Sequence, residues 1–302
     1  MTANTSWKRL FVTLALTSCI VTGIAQAQND PPADARADAR VDATGWPLGL
    51  NPQIAPDTAA LIVTEDHPMG SQIRLHEGNR QQMLFSAPAI AAATGSVAGM
   101  DVSGWQGNVN WSGAWGNGAR FAYVKATEST NYTNPYFAQQ YNGSYNVGMI
   151  RGAYHFAHPN VSSGATQANY FVNNGGGWSR DGKTLPGALD IEYNPNGSTC
   201  YGLSQSGMAA WIASFSNQYY ARTGRWPVIY TSTSWWSQCV GTAGNFSNNS
   251  PLWVARYAGS AGTLPYAWGY YTIWQYSDTG TFPGDQNVFN GAYDRLQALS
   301  NG

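Results

Sequence analysis

Residues 187–195 read GALDIEYNP, an apolar run that carries two carboxylates, Asp190 and Glu192, on either side of Ile191. Successive strand residues point to opposite faces, so at a rise of about 3.3 Å per residue the two acids project the same way, with Cβ atoms about 6.5–7 Å apart. Ile191 then faces a helical layer, and both acids face one cavity. Desolvated carboxylates cost several kcal/mol each unless a partner compensates them. Only nine Lys and Arg follow residue 92, most of them in loop-like sequence, so a purely structural ion pair has few partners available.

Outward from this run, short β-branched apolar stretches alternate with helix-compatible segments. Strands are expected at 97–103, 120–127, 149–157, 187–193, 227–232, 252–257 and 272–277. Helices are expected at 135–147, 162–174 and 204–224, the last stopped by Gly224. The connection after Arg256, AGSAGTLPYAWGY, is Gly- and Pro-rich and too short for a crossover helix, so the last strands are expected to pair through turns. Strands alternating with helices imply a parallel sheet buried on both faces. The fold class is α/β: a single, irregular barrel of the TIM-like β/α type with a helix-poor C-terminal third. In such barrels chemistry sits at the C-terminal ends of the strands. Asp101, Glu128, Asp190, Glu192 and Asp285 fall at or just beyond strand ends.

Composition narrows the class. The chain has 302 residues, 43% hydrophobic and only 10% charged, with 13 Trp and 18 Tyr, the profile of an aromatic extracellular protein. A net charge of -1 leaves no basic stripe for nucleic acid. Lys8 and Arg9 precede an apolar run ending in Ala25-Gln26-Ala27, so residues 1–27 are expected to be a secretory signal peptide and the mature chain to be secreted, with no membrane insertion after cleavage. A rival lipoprotein box around Cys19 is disfavoured because the apolar run continues past it. Cleavage would leave Cys200 and Cys239, an even pair in an oxidising compartment, and a disulfide is expected. Residues 28–95 are Ala-, Pro- and Asp/Arg-rich at their start and lack a strong apolar period, as a weakly structured pro-segment or linker would. Residues 96–302 form the catalytic domain, expected to act as a monomer. Eight of the 16 acids follow residue 92, namely Asp101, Glu128, Asp181, Asp190, Glu192, Asp278, Asp285 and Asp294, so each one within an apolar stretch is a candidate for chemistry.

Two close carboxylates in an apolar pocket do not ionise together readily; one holds a proton while the other stays charged. A proton donor beside a carboxylate is the equipment of glycoside hydrolysis. Trp105, Tyr123, Tyr154, Phe156, Tyr193, Trp253 and Trp274 lie near the same strand ends and together are candidates for stacking on sugar rings, although each alone is better explained by core packing. His155 and His158, three apart on a strand, point to opposite faces, and no cluster follows, so no metal site and no cofactor are expected.

The blocks MDVSGWQGNVNW, FAYVKATEST, GAYHFAHP, ALDIEYN and IWQYSDTGTFPGDQNVFNG, in this order, resemble the Chalaropsis-type lysozymes, glycoside hydrolase family 25, over about residues 99–291. The resemblance implies a barrel of five β/α units followed by helix-poor strands. It also implies an N-acetylmuramidase acting on bacterial peptidoglycan. It assigns Glu192 as the general acid and Asp190 as the carboxylate beside it, places Asp101 on the cavity floor and Asp285 beside the sugar in a loop after the last strand, and has Lys125, Glu128 and Tyr154 line the groove. Gly104 departs from the pattern, since many relatives carry His there. The expected mechanism is substrate-assisted, with an inverting path through a water activated by Asp190 or Asp101 left open. A chitinase-like hydrolase is the nearest alternative, disfavoured because the D-x-x-D-x-D-x-E run is absent; a sugar-binding protein without activity is a second.

Overall fold

The computed structural model describes residues 65–78 and 95–302; the expected signal peptide lies outside them. Among the described residues nine strands form one sheet in the order β1-β9-β8-β7-β6-β5-β4-β2-β3, and a further β1–β2 pairing closes eight of them into a barrel. The strands are β1 Val97–Val102, β2 Phe121–Glu128, β3 Tyr132–Thr133, β4 Ile150–Phe156, β5 Ala188–Asp190, β6 Val228–Ser232, β7 Leu252–Ala255, β8 Ile273–Ser277 and β9 Asp285–Phe289. Neighbours run parallel from β1 through β2, β4, β5, β6 and β7 to β8. β9 is antiparallel to both β8 and β1 and completes the ring. β2, β5, β6 and β7 are buried along their whole length, as strands covered on both faces must be.

The helices are α1 Ser71–Glu77, at the end of the barrel that carries Glu192, and α2 Trp111–Gly116, α3 Phe137–Asn146, α4 Gly164–Phe171, α5 Gln205–Thr223, α6 Thr233–Cys239 and α7 Tyr293–Asn301, which cover the outside. Short polar residues start several of them. Asn110, Ser163, Ser204 and Ser232 each accept a hydrogen bond from a first-turn backbone N–H, which satisfies donors the helix leaves free. Gly224 ends α5 in the left-handed conformation, φ 72°, which suits a residue without Cβ. The barrel interior is packed by rings laid over glycines: a Cβ on Gly152 would come within 2.4 Å of the Tyr123 ring, and one on Gly99 within 2.3 Å of Phe121. Cys200 and Cys239 are joined, Cα–Cα 5.3 Å, tying the segment before α5 to the end of α6. A crosslink of this span stabilises by about 3–4 kcal/mol.

Two expectations about the last third change. β7 and β8 are parallel rather than paired through a turn, because the irregular segment 256–272 crosses over without a helix, held in part by the Trp268 indole N–H donating to the Ser250 carbonyl at 3.0 Å. Asp285 does not sit in a loop beyond the last strand; it opens β9 and pairs with Asp101 of β1. Because β9 runs backwards, its first residue lies at the same barrel end as the last residues of the parallel strands. That reversal brings Asp285 beside Asp101.

Candidate active site

The C-terminal ends of β1, β2 and β5 and the start of β9 gather the acids the sequence singles out. Asp101 lies on the floor, 3% exposed, where one carboxylate oxygen accepts hydrogen bonds from the side-chain amides of Asn287 at 2.6 Å and Gln275 at 3.0 Å. The Gln275 amide also donates to Asp285 at 3.0 Å, so one amide spans the two acids. Its own oxygen accepts from Tyr230 and Tyr257 at 2.7 and 3.0 Å, which fixes its orientation. Burial pushes Asp101 up to about 7, against the pull of these two amides. Asp285 is raised well above its ordinary value, first by desolvation and then by the charge of Asp101.

Asp190 ends β5, and the ladder continues one residue further, since the Ile191 N–H donates to the Tyr230 carbonyl at 3.0 Å. Asp190 and Glu192 therefore keep strand alternation, share a side, and are both fully buried. Neither oxygen of Asp190 has a hydrogen-bond partner among the described residues. Desolvation, then the nearby Glu192 charge, raise it well above the ordinary carboxylate range. Glu192 is pushed up to about 8 by burial, opposed by backbone N–H donors of Ile73 and Gly70.

Beside this pair stands an ionic cluster. The buried Lys125 ammonium binds Glu128 and, at 2.7 Å, Asp66. The other oxygen of Glu128 meets His67 Nδ1 at 2.6 Å and His158 Nε2 at 2.7 Å. Burial alone would raise Glu128, but Lys125 and the two imidazoles outweigh it and hold the carboxyl well below its ordinary range. His67, Glu128 and His158 bring their ligand atoms within 4.8 Å of one another. A metal ion there would face the Lys125 ammonium on the same carboxylate, so this donor set fits an ion-pair network better than a cation.

Of the candidate aromatics, Tyr154, Phe156 and Tyr193 stand at the site. The Phe156 ring centroid lies 5.2 Å from Lys125 Nζ, and Trp105 is 70% exposed at its rim. Trp253 and Trp274 are elsewhere. Trp253 is buried in the barrel against Tyr123 at 4.7 Å and donates to Asn287 at 2.9 Å, supporting the floor from below. Trp274 precedes Gln275, whose side chain reaches Asp101, so alternation turns the indole outward to the Arg256 carbonyl at 2.9 Å. His155 also turns away, bonded to Thr127 and Gln167. Gln275, Asn287, Tyr230 and Tyr257 belong to the site or its support without having been singled out for that role by sequence. Uncharged amides and phenols give no signal until the barrel places them.

The sequence leads one to expect an open groove over Asp190 and Glu192. Here residues 65–78 fill it, with Met69 and Ile73 buried, and two of their backbone N–H groups donate to Glu192, which has no exposed surface. A cavity of about 300 Å³ remains beside the segment, bounded by Trp105, Gln106, Tyr257 and Asp285.

The four raised acids set a pH dependence. Each binds a proton more tightly in the folded chain than in the unfolded one, whose values lie near 3.8 for Asp and 4.5 for Glu. Their contribution to stability is fully present below those values and is lost as pH rises through about 7 and 8, where Asp101 and Glu192 ionise. Urea midpoints are expected to fall from pH 5.5 to pH 8.5, and to fall less in Asp101→Asn. A midpoint that rises across this window contradicts the assignment.

The family described as Glycosyl hydrolases family 25 matches residues 100–285. Lysozyme M1 of Streptomyces globisporus is 54% identical over 215 residues, covering 70% of this chain and 73% of its own. The N,O-diacetylmuramidase of Chalaropsis sp is 51% identical over 211 residues, 68% of this chain and 100% of its own. Among solved structures, the muramidase from Acremonium alcalophilum superposes with a TM-score of 0.67 at 59% identity, covering 68% of this chain and 99% of that one.

Proposed function

Since the chain belongs to the glycosyl hydrolases of family 25 and is a glycoside hydrolase of the lysozyme type, we propose that it is secreted and cuts bacterial peptidoglycan at the β-1,4 bond after N-acetylmuramic acid, by a substrate-assisted route. The observation that carries the mechanism is the pair at 190 and 192. Glu192, whose carboxyl desolvation pushes toward the protonated form, donates its proton to the glycosidic oxygen as the bond to the anomeric carbon breaks, the bound glycan excluding water from the groove in place of residues 65–78. The acetamido carbonyl oxygen of the same sugar forms the new bond to that carbon. With the proton of this coupled pair on Glu192, Asp190, buried and with both oxygens unpartnered among the described residues, is the charged member; it accepts the acetamido N–H and offsets the positive charge that develops on the ring. Water then opens the cyclic intermediate from the opposite side, returning a proton to Glu192 and giving net retention. Asp101 and Asp285, joined through Gln275, shape the floor beside the reacting sugar.

Mass spectrometry of fragments released from purified walls tests the specificity: the new reducing end is expected on N-acetylmuramic acid, whereas release from chitin oligomers in preference to walls would favour the chitinase-like alternative. NMR of the first-formed anomer tests the route. The β anomer is expected; a first-formed α anomer would replace the acetamido nucleophile with a water activated by Asp190 or Asp101.

A further inference from the structure

We propose that the groove is also a peptide-binding site whose ligand is the chain's own segment 65–78, so that the full chain is latent until this segment leaves. The inference rests on reading the groove as the glycan site. The segment does not merely lie near the acids; it satisfies them. Gly70 N–H donates to Glu192 Oε1 and Ile73 N–H to Glu192 Oε2, both at 2.8 Å, so both oxygens of the proton donor are taken. A glycosidic oxygen cannot approach Glu192 within hydrogen-bond reach while these donors are in place. Met69 N–H reaches the Tyr154 hydroxyl at 3.2 Å, and the Gly70 carbonyl accepts from Tyr257 at 3.2 Å.

The fit is specific at Gly70. Its φ is 80°, and a Cβ there would come within 2.2 Å of Tyr257 Oη and 2.6 Å of both Tyr230 Oη and Gln275 Oε1, so only glycine enters this throat between the acid and the floor. Either side of it the segment is anchored by groups suited to sugars. Asp66 takes the Lys125 ammonium, the His76 ring stacks on Tyr193 at 4.3 Å with planes 8° apart, and Glu77 accepts from the Tyr193 hydroxyl at 2.9 Å. The unusual Gly104 belongs to the same fit, because a Cβ at 104 would come within 2.7 Å of the Asp66 carboxylate. A helix of seven residues is not stable alone, so the order of Ser71–Glu77 comes from docking on the barrel. The covalent tether supplies a high local concentration of this ligand without any protein partner.

The test compares the full chain with Gly70→Val and Ile73→Asp, two changes within the segment that leave every barrel residue intact. Release of reducing ends from purified walls is expected to rise at least tenfold in both. Equal rates in the folded full chain and the folded variants overturn latency and leave the muramidase reading standing. If none of the three releases reducing ends, the muramidase reading fails, and co-sedimentation with walls decides latency alone: retention must be at least tenfold stronger in the variants, and equal retention overturns it. Should neither variant fold, hydrogen exchange on the unaltered chain gives the answer. Amides of Gly70 and Ile73 are expected to be protected, and exchange at the rate of a free peptide overturns the proposal.

Discussion

Glu192→Gln, placed in a chain whose groove is opened by Gly70→Val, is expected to lower reducing-end release by about 10²- to 10⁴-fold while wall binding changes little, the range typical for losing a general acid. The substitution keeps the shape of the side chain and removes only its capacity to give up a proton. It must be made in the opened background, because in the unaltered chain both Glu192 oxygens accept from the backbone of residues 70 and 73, and any loss of activity would be confounded with a change in docking. The neighbouring Asp190→Asn should act differently. It keeps an acceptor oxygen for the acetamido N–H but removes the negative charge facing the developing cation, so kcat falls more than KM changes. Near-unaltered release by Glu192→Gln in the opened chain would remove Glu192 from the acid role and force the proton to come from another raised carboxyl at the site, Asp101 or Asp285.

The parts of this arrangement that the sequence exposes are those with an apolar, β-branched signature. The runs at 97–102, 121–128, 150–156 and 228–232 emerge as strands within a residue or two, because burial on both faces demands such residues. β9 escapes the same logic. Its DQNVF starts with three polar residues, since Gln286 accepts from the Phe282 N–H and Asn287 supports Asp101; a strand that builds a polar floor loses the pattern by which strands are found. Trp253 and Trp274 show the complementary limit. A tryptophan near a strand end is equally suited to a sugar or a core, and only the register decides which face it occupies. The segment 65–78 is hardest of all to foresee, because its decisive contacts are backbone N–H groups, which every sequence possesses. Gly70 alone hints at it, and a single glycine in a polar stretch has no meaning until a tyrosine hydroxyl is found 2.2 Å from where its Cβ would be.

Lys125→Met is expected to be the most damaging single change to stability, by about 3–5 kcal/mol, because it strands a buried charge. Lys125 and Glu128 are both fully buried and share one contact, with Asp66 and the His67 carbonyl completing the ammonium's partners at 2.7 and 2.8 Å. Burial pulls the Lys125 pKa down, yet Glu128 and Asp66 outweigh it and the net shift is upward, the mark of a pair that holds its charges despite desolvation. With the ammonium gone, Glu128 keeps the imidazoles of His67 and His158 and the His67 backbone N–H at 3.2 Å, none of them a fixed positive charge. The double change Lys125→Met with Glu128→Gln removes both charges and is expected to recover at least half of the loss. The pH dependence supplies a second, signed check. In the unaltered chain Glu128 is held below its ordinary value, so its contribution is present above about pH 4.5 and disappears as pH falls through its lowered pKa. Without Lys125 the desolvation that opposes ionisation prevails, the shift reverses, and Lys125→Met should lose most stability at alkaline pH and least near pH 4. Urea denaturation of the two variants at pH 4.5 and pH 8 measures both effects. A single variant within 1 kcal/mol of the unaltered chain at pH 8 would mean that water reaches Glu128, and that the ionic cluster beside Asp190 and Glu192 is solvated rather than sealed.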